Sequence, residues 1–160
     1  MKSAKATILY LFLLLSLSCA SGSGPLFVHE PSLPDSDPCL YIYRPDSTYL
    51  RAAKWEFVVD NDKVVTLTNG TYAKIPLSAG SHEIVSGMSQ RIGQRPLLIT
   101  IEAVKGKNVY VKYEIQPQGN VLTSLIDKPK FDNRLYEVEE SQALADLKEL
   151  HLTAESIRSR

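Results

Sequence analysis

Apolar and polar residues alternate along the middle of this chain with a period of two. In "PLLITIEA", Leu97, Ile99 and Ile101 share one face, and Thr100 and Glu102 the other. In "NVYVKYEI", Val109, Val111, Tyr113 and Ile115 point one way, Lys112 and Glu114 the other. Successive side chains of a strand point to opposite faces, so both stretches predict strands with one covered face. Lys105-Gly106-Lys107 is expected to join them as a hairpin. "CLYIYR", Cys39 to Arg44, is apolar at both sets of alternate positions and predicts a strand covered on both sides. "WEFVVDNDKVVTL" reads as two strands about the turn-forming Asp60-Asn61-Asp62, with Trp55, Phe57 and Val59 on one face. Asn69-Gly70 and Ser78-Ala79-Gly80-Ser81 mark further turns on either side of "TYAKIPL", the second leading into "HEIVSG". Residues 121–126, "VLTSLI", add one more candidate strand.

Seven or eight short strands with turns about every ten residues predict an all-β fold, an antiparallel β-sandwich. The period then changes. Ala143, Leu147, Leu150 and Ala154 recur at helical spacing, with Leu144 beside them and Ser141 as a candidate N-cap. One C-terminal amphipathic helix is expected to pack on the sandwich or across its open edge.

Ahead of the strands, Pro25, Pro31, Pro34 and Pro38 rule out a hydrogen-bonded element, since each removes a donor and restricts the residue before it. As free chain, residues 20–38 would reach roughly 25 Å and hold a domain off a surface. Leu26-Phe27-Val28 interrupts this tether and either docks onto the domain or sits in a lipid interface.

The first residues have the three parts of an export signal. Lys2 and Lys5 are positive, Ile8 to Leu17 form an apolar core, and small residues surround Cys19. That core is about ten residues, too short to span a bilayer, which takes about 20. The seam Ser16-Leu17-Ser18-Cys19 resembles the lipobox of bacterial lipoproteins, in which the cysteine is acylated and becomes the first mature residue. Ser18 and the Leu-rich core agree with it; Ser16 stands where Leu is usual, and Leu17 where a small residue is. The competing reading is a small-x-small site, Ser18-Cys19-Ala20, cut after Ala20 and releasing a soluble periplasmic protein. Lipidation of Cys19, with Ala20 rather than Asp behind it, implies an outer-membrane lipoprotein facing the periplasm. The expected organisation is therefore a signal peptide over 1–18, a tether over 19–38, a sandwich over 39–138, and a helix and tail over 139–160.

Composition narrows the partners. The 160 residues are 44% apolar and 22% charged, with 18 basic residues against 18 acidic. Two of the basic ones lie in the leader, and no basic patch remains of the kind nucleic acid requires. Once Cys19 is acylated or removed, Cys39 is the single thiol, so no internal disulfide is possible. On a strand apolar on both faces, Cys39 is expected to be buried.

Few residues suggest chemistry. Of His29, His82 and His151, only His82 falls in the sandwich, beside a turn, and no Gly-x-Ser-x-Gly accompanies it. It is expected to bond backbone rather than act as a base. His82-Glu83 lacks the second His of a helical zinc site. Asp60-x-Asp62 begins like a calcium loop, but Val64, Val65 and Leu67 supply no oxygen side chains. Asn69-Gly70-Thr71, formally a glycosylation sequon, reads as a turn. No catalytic residue, metal or cofactor is expected. The candidate recognition loop is "GMSQRIGQRP", Gly87 to Pro96, where Arg91 and Arg95 offer paired donors to a phosphate or carboxylate; the bland alternative is a solvated loop.

Tyr41-Ile42-Tyr43-Arg44-Pro45, "VDNDKVVTL", Gly70-x-Tyr72, Leu77-x-x-Gly80-x-His82, and Gly106 ahead of Val109-Tyr110-Val111 together resemble a family of short bacterial lipoproteins of unknown function. The middle motif is also similar to PEGA-like modules. The resemblance covers roughly Leu40 to Val138 and implies a PEGA- or transthyretin-like sandwich, with no activity attached. The expected function is a non-enzymatic binding or structural module of the cell envelope. Its expected partners are the membrane, through the N-terminal lipid, and another envelope protein. The alternatives are an accessory lipoprotein of a secretion machine and a periplasmic enzyme without a recognisable motif.

Overall fold

A computed structural model describes residues 24–87, 96–118, 130–153 and 158–159. Its strands are β1 (Cys39–Arg44), β2 (Trp55–Val59), β3 (Lys63–Leu67), β4 (Thr71–Pro76), β5 (Gly80–Ser86), β6 (Leu98–Ala103), β7 (Val109–Gln118) and β8 (Lys130–Glu137). A helix α1 (Glu140–Leu147) and the short strands β9 (His151–Leu152) and β10 (Arg158–Ser159) follow. One sheet has the order β8-β7-β1-β4-β9, the other β10-β3-β2-β5-β6, and they pack as a sandwich. Most neighbours are antiparallel, but β1 runs parallel to β7 and β4 parallel to β9.

Side-chain alternation builds the core. Leu40 and Ile42 from β1, Trp55, Phe57 and Val59 from β2, and Val109, Val111 and Tyr113 from β7 all enter one cluster between the sheets. Full burial of each is worth about 1.5–3 kcal/mol. The other face of β1 carries Tyr41 and Tyr43 into a second cluster with Tyr72 and Tyr110, roofed by Ala143 and Leu147 of α1. The first sheet is thus covered on both faces, as the two-sided pattern of β1 predicts. The fold is three-layered.

Turn chemistry agrees with the sequence. Asp60 and Asn61 take φ of 51° and 58° between β2 and β3, and the Asp62 N–H donates to Val59 O at 3.1 Å. Gly70, at φ 68°, turns the chain from β3 in one sheet to β4 in the other.

Other elements differ from expectation. Lys105-Gly106-Lys107 does not close a hairpin: β6 pairs with β5 at the edge of one sheet, while β7 lies between β1 and β8 in the other. Alternation reveals which face is covered but says nothing about which strand lies alongside. Strand β8, which the periodicity does not mark, pairs with β7 from Gln118↔Lys130 to Val111↔Glu137. As an edge strand it needs few apolar residues: Phe131 and Leu135 pack against the inter-sheet cluster and Tyr136 against the tyrosine cluster. The candidate strand 121–126 lies outside the described residues.

Helix α1 occurs where expected and buries Ala143 and Leu147, but Ser141 is not its cap. The helix starts two residues earlier, with Glu139 as an N-cap that makes no side-chain cap bond, directly after Val138, whose N–H still donates to Tyr110 O. The helix ends early. Leu150 stays buried but precedes β9, whose His151 pairs with Thr71 of β4. Ala154 lies outside the described residues.

The proline-rich segment departs furthest from the free-tether reading. From Gly24 onward it is a strap laid over the outer face of the first sheet. The Phe27 N–H donates to Leu150 O at 3.0 Å, and Pro25 O accepts from the Leu152 N–H at 2.8 Å. Phe27 itself stands edge-on to Tyr41 and Tyr72, with ring centroids 5.8 and 5.4 Å away. Glu30 pairs with Lys74, Ser36 O accepts from the Gly106 N–H, and Pro38 O from the Leu77 N–H. Among the described residues no helix is long and apolar enough to cross a membrane.

Candidate functional site

The outer layer leaves a groove of about 1090 Å³ between the strap and the start of α1. His29 and Pro31 form one bank, Lys107 and Asn108 one end, and Glu140 and Leu144 the other bank. Each piece is placed by the fold. Prolines keep the strap extended and limit its pairing to a single antiparallel bridge, Leu26 with His151. The end of β8 delivers three exposed carboxylates, Glu137, Glu139 and Glu140, within four positions. The Tyr110 hydroxyl donates to Glu140 Oε1 at 3.0 Å, and burial, with that carboxylate adding to it, pushes Tyr110 up to about 12. The groove is mainly acidic, with Lys107 as its cation. It is suited to polar contacts with a cationic surface.

Polar side chains elsewhere hold elements together. Asp146 of α1 accepts from Tyr43 at 2.9 Å and from Lys112 at 3.0 Å. Arg44, only 1% exposed, donates to Ala53 O at 2.7 Å and to Leu50 O at 2.8 Å. That guanidinium organises the loop between β1 and β2, and burial lowers it to about 10. Leu50 is held at φ 51°, a left-handed conformation that its carbonyl bond to Arg44 supports.

His82 sits beside its turn as expected. Its Nδ1 lies 2.6 Å from Asp60 Oδ2 and its Nε2 2.9 Å from Ser78 O. Both ring nitrogens face acceptors, so the imidazole staples two turns and neither nitrogen is presented to a substrate. The second Asp60 oxygen accepts from the Glu83 N–H at 2.9 Å. The carboxylate that begins the calcium-like motif is therefore engaged by His82 and Glu83 of β5. Among the described residues no group of three or more His, Cys, Asp or Glu is arranged to hold a metal.

Of the sites expected from sequence, Cys19, Arg91 and Arg95 lie outside the described residues. Cys39 is half-buried rather than buried, packed at the margin of the tyrosine cluster. The strap groove was not legible in the sequence, because it joins residues about a hundred positions apart. Its only advance sign was the apolar Leu26-Phe27-Val28 inside a proline-rich stretch. No family profile, curated protein or solved structure matches this chain.

Proposed function

We propose that this protein is a bacterial envelope lipoprotein of the short family it resembles, acylated at Cys19, whose sandwich serves as a non-enzymatic binding or structural module. The observation that carries the reading is the docked strap. Gly24 to Pro38 belongs to the folded body, so a mature chain beginning at Cys19 keeps the domain whole and fixes it to a membrane. The occupied ring nitrogens of His82 favour a module over an enzyme. A groove edged by Glu137, Glu139 and Glu140 favours a partner with a basic surface, another envelope protein.

Metabolic labelling with palmitate tests the anchor. Label enters the wild type, is lost in Cys19→Ser, and the mass of the mature N-terminus includes the acyl groups. A soluble periplasmic product starting at Ser21 overturns the reading.

A further inference from the structure

We propose that the strap is the membrane-contacting face of the molecule, with Leu26, Val28 and Leu33 seated in the headgroup region of a phospholipid bilayer. The inference rests on acylation at Cys19 and adds to it an orientation.

Distance comes first. Five Cα steps separate Cys19 from Gly24, and an extended chain spans at most about 3.6 Å per residue, so Gly24 lies within about 18 Å of the acylated residue. A domain of about 100 residues has a radius of gyration of about 13 Å, so such a span is short against the size of the domain and favours presenting the strap side to the surface. The end of the strap is therefore held near the bilayer, within that distance of the acylated residue.

The surface at that place is apolar. Leu26 is 52% exposed, Val28 72% and Leu33 70%, although Phe27 between the first two is packed inward. Val104, 54% exposed, lies on the turn whose Gly106 bonds to Ser36 of the strap. Among the described residues five large apolar side chains are more than half exposed, and four of them are on the strap or this adjoining turn. Clustering of that kind marks an interaction surface, whereas scattered exposed residues need no explanation.

Charge on this side is mixed. The carboxylate of Glu30 is paired with Lys74, Asp35 and Asp37 of the strap are exposed, and the exposed Lys105 and Lys107 flank Gly106 beside Val104. Two lysines next to apolar side chains suit a surface of anionic headgroups. The acidic groove borders the strap and is left open at the membrane margin for a second component.

The test uses the full-length acylated protein in vesicles of phosphatidylethanolamine and phosphatidylglycerol. An environment-sensitive dye is attached at Val28→Cys or Leu33→Cys in a Cys39→Ser background. A dye at Leu98→Cys, on β6 of the other sheet, is the control. The expected result is a blue shift at 28 and 33 on vesicle binding and none at 98. Circular dichroism checks that each labelled variant is folded. A protein that is acylated and floats with the vesicles, yet shows no shift at 28 or 33, overturns the membrane face and leaves the lipoprotein reading intact. A mature protein without acyl groups removes the premise and overturns both. A shift that appears only when envelope proteins are added assigns the surface to a protein partner and overturns the proposal.

Discussion

The Tyr43 hydroxyl donates to Asp146 Oδ2 at 2.9 Å, joining the first strand to the terminal helix across 103 positions of sequence. Lys112 of β7 reaches the same oxygen at 3.0 Å. Asp146 thus ties α1 to two adjacent strands of the sheet beneath it. Asp146→Ala leaves a buried hydroxyl and a largely covered ammonium without their acceptor, which costs about 1–3 kcal/mol. Asp146→Asn keeps an acceptor for Tyr43 and loses less. Urea unfolding of the three proteins measures the order, and equal stability of all three would sink the argument.

Gly106 meets two separate requirements. Its φ is 74°, and a Cβ there would lie 2.5 Å from Pro34 O of the strap. Gly106→Ala therefore costs about 1–2 kcal/mol in backbone strain and pushes the strap away as well. Gly80 also has a positive φ, of 134°, but no atom lies within 4 Å of an added Cβ. Gly80→Ala strains its turn and leaves the strap in place. Limited proteolysis between Gly24 and Pro38 distinguishes them: faster cutting is expected in Gly106→Ala alone.

Arg44 is a buried cation whose two terminal nitrogens are held by carbonyls of the loop after β1, while its Nε has no partner among the described residues. A lysine has no planar fork with which to bridge Leu50 O and Ala53 O together, so Arg44→Lys is not conservative here. The expected loss is about 1.5–3 kcal/mol, the worth of a hydrogen bond to a charged group. Amide exchange should accelerate at Ala53, whose N–H donates to Leu50 O at 2.9 Å. Unchanged exchange there would show that the loop stands without the guanidinium.

Alkaline pH is where this fold should fail. Tyr41, Tyr43, Tyr72, Tyr110, Tyr113 and Tyr136 are all raised above the ordinary phenol value, each chiefly by burial. Above about pH 10 the unfolded chain releases these protons while the folded chain keeps them, so the folded state binds more protons and stability falls as pH rises. The contribution is complete below about pH 10 and is lost towards and beyond about 12, the value reached by Tyr110. Arg44, lowered to about 10 by burial, acts in the opposite sense, but it is one group against six. The urea midpoint is expected to fall between about pH 9 and about pH 11, together with a cooperative rise in tyrosinate absorbance. A flat midpoint over that range would contradict the assignment.

Much of this architecture is local, and the chain alone determines it. Strict alternation in Leu97–Glu102 and Val109–Ile115 specifies strands and their buried faces, because a strand's side chains have no other way to separate apolar from polar. The double-sided pattern of Cys39–Arg44 announces a sheet covered twice, and Asp60-Asn61 and Asn69-Gly70 mark turns by their tolerance of positive φ. Pairing is not local. That β7 lies parallel to β1 and leaves β6 in the other sheet depends on how two sheets share one core, and alternation is blind to the neighbour. Strand β8 was hidden because an edge strand is specified mostly by its partner's backbone. The strap depended on tertiary structure most of all. Its prolines keep it to one isolated bridge, Leu26 with His151, so nothing periodic marks it. Its place is set by Phe27 finding Tyr41 and Tyr72, and by Gly106 making room beside Pro34, contacts that exist only once the sandwich has formed.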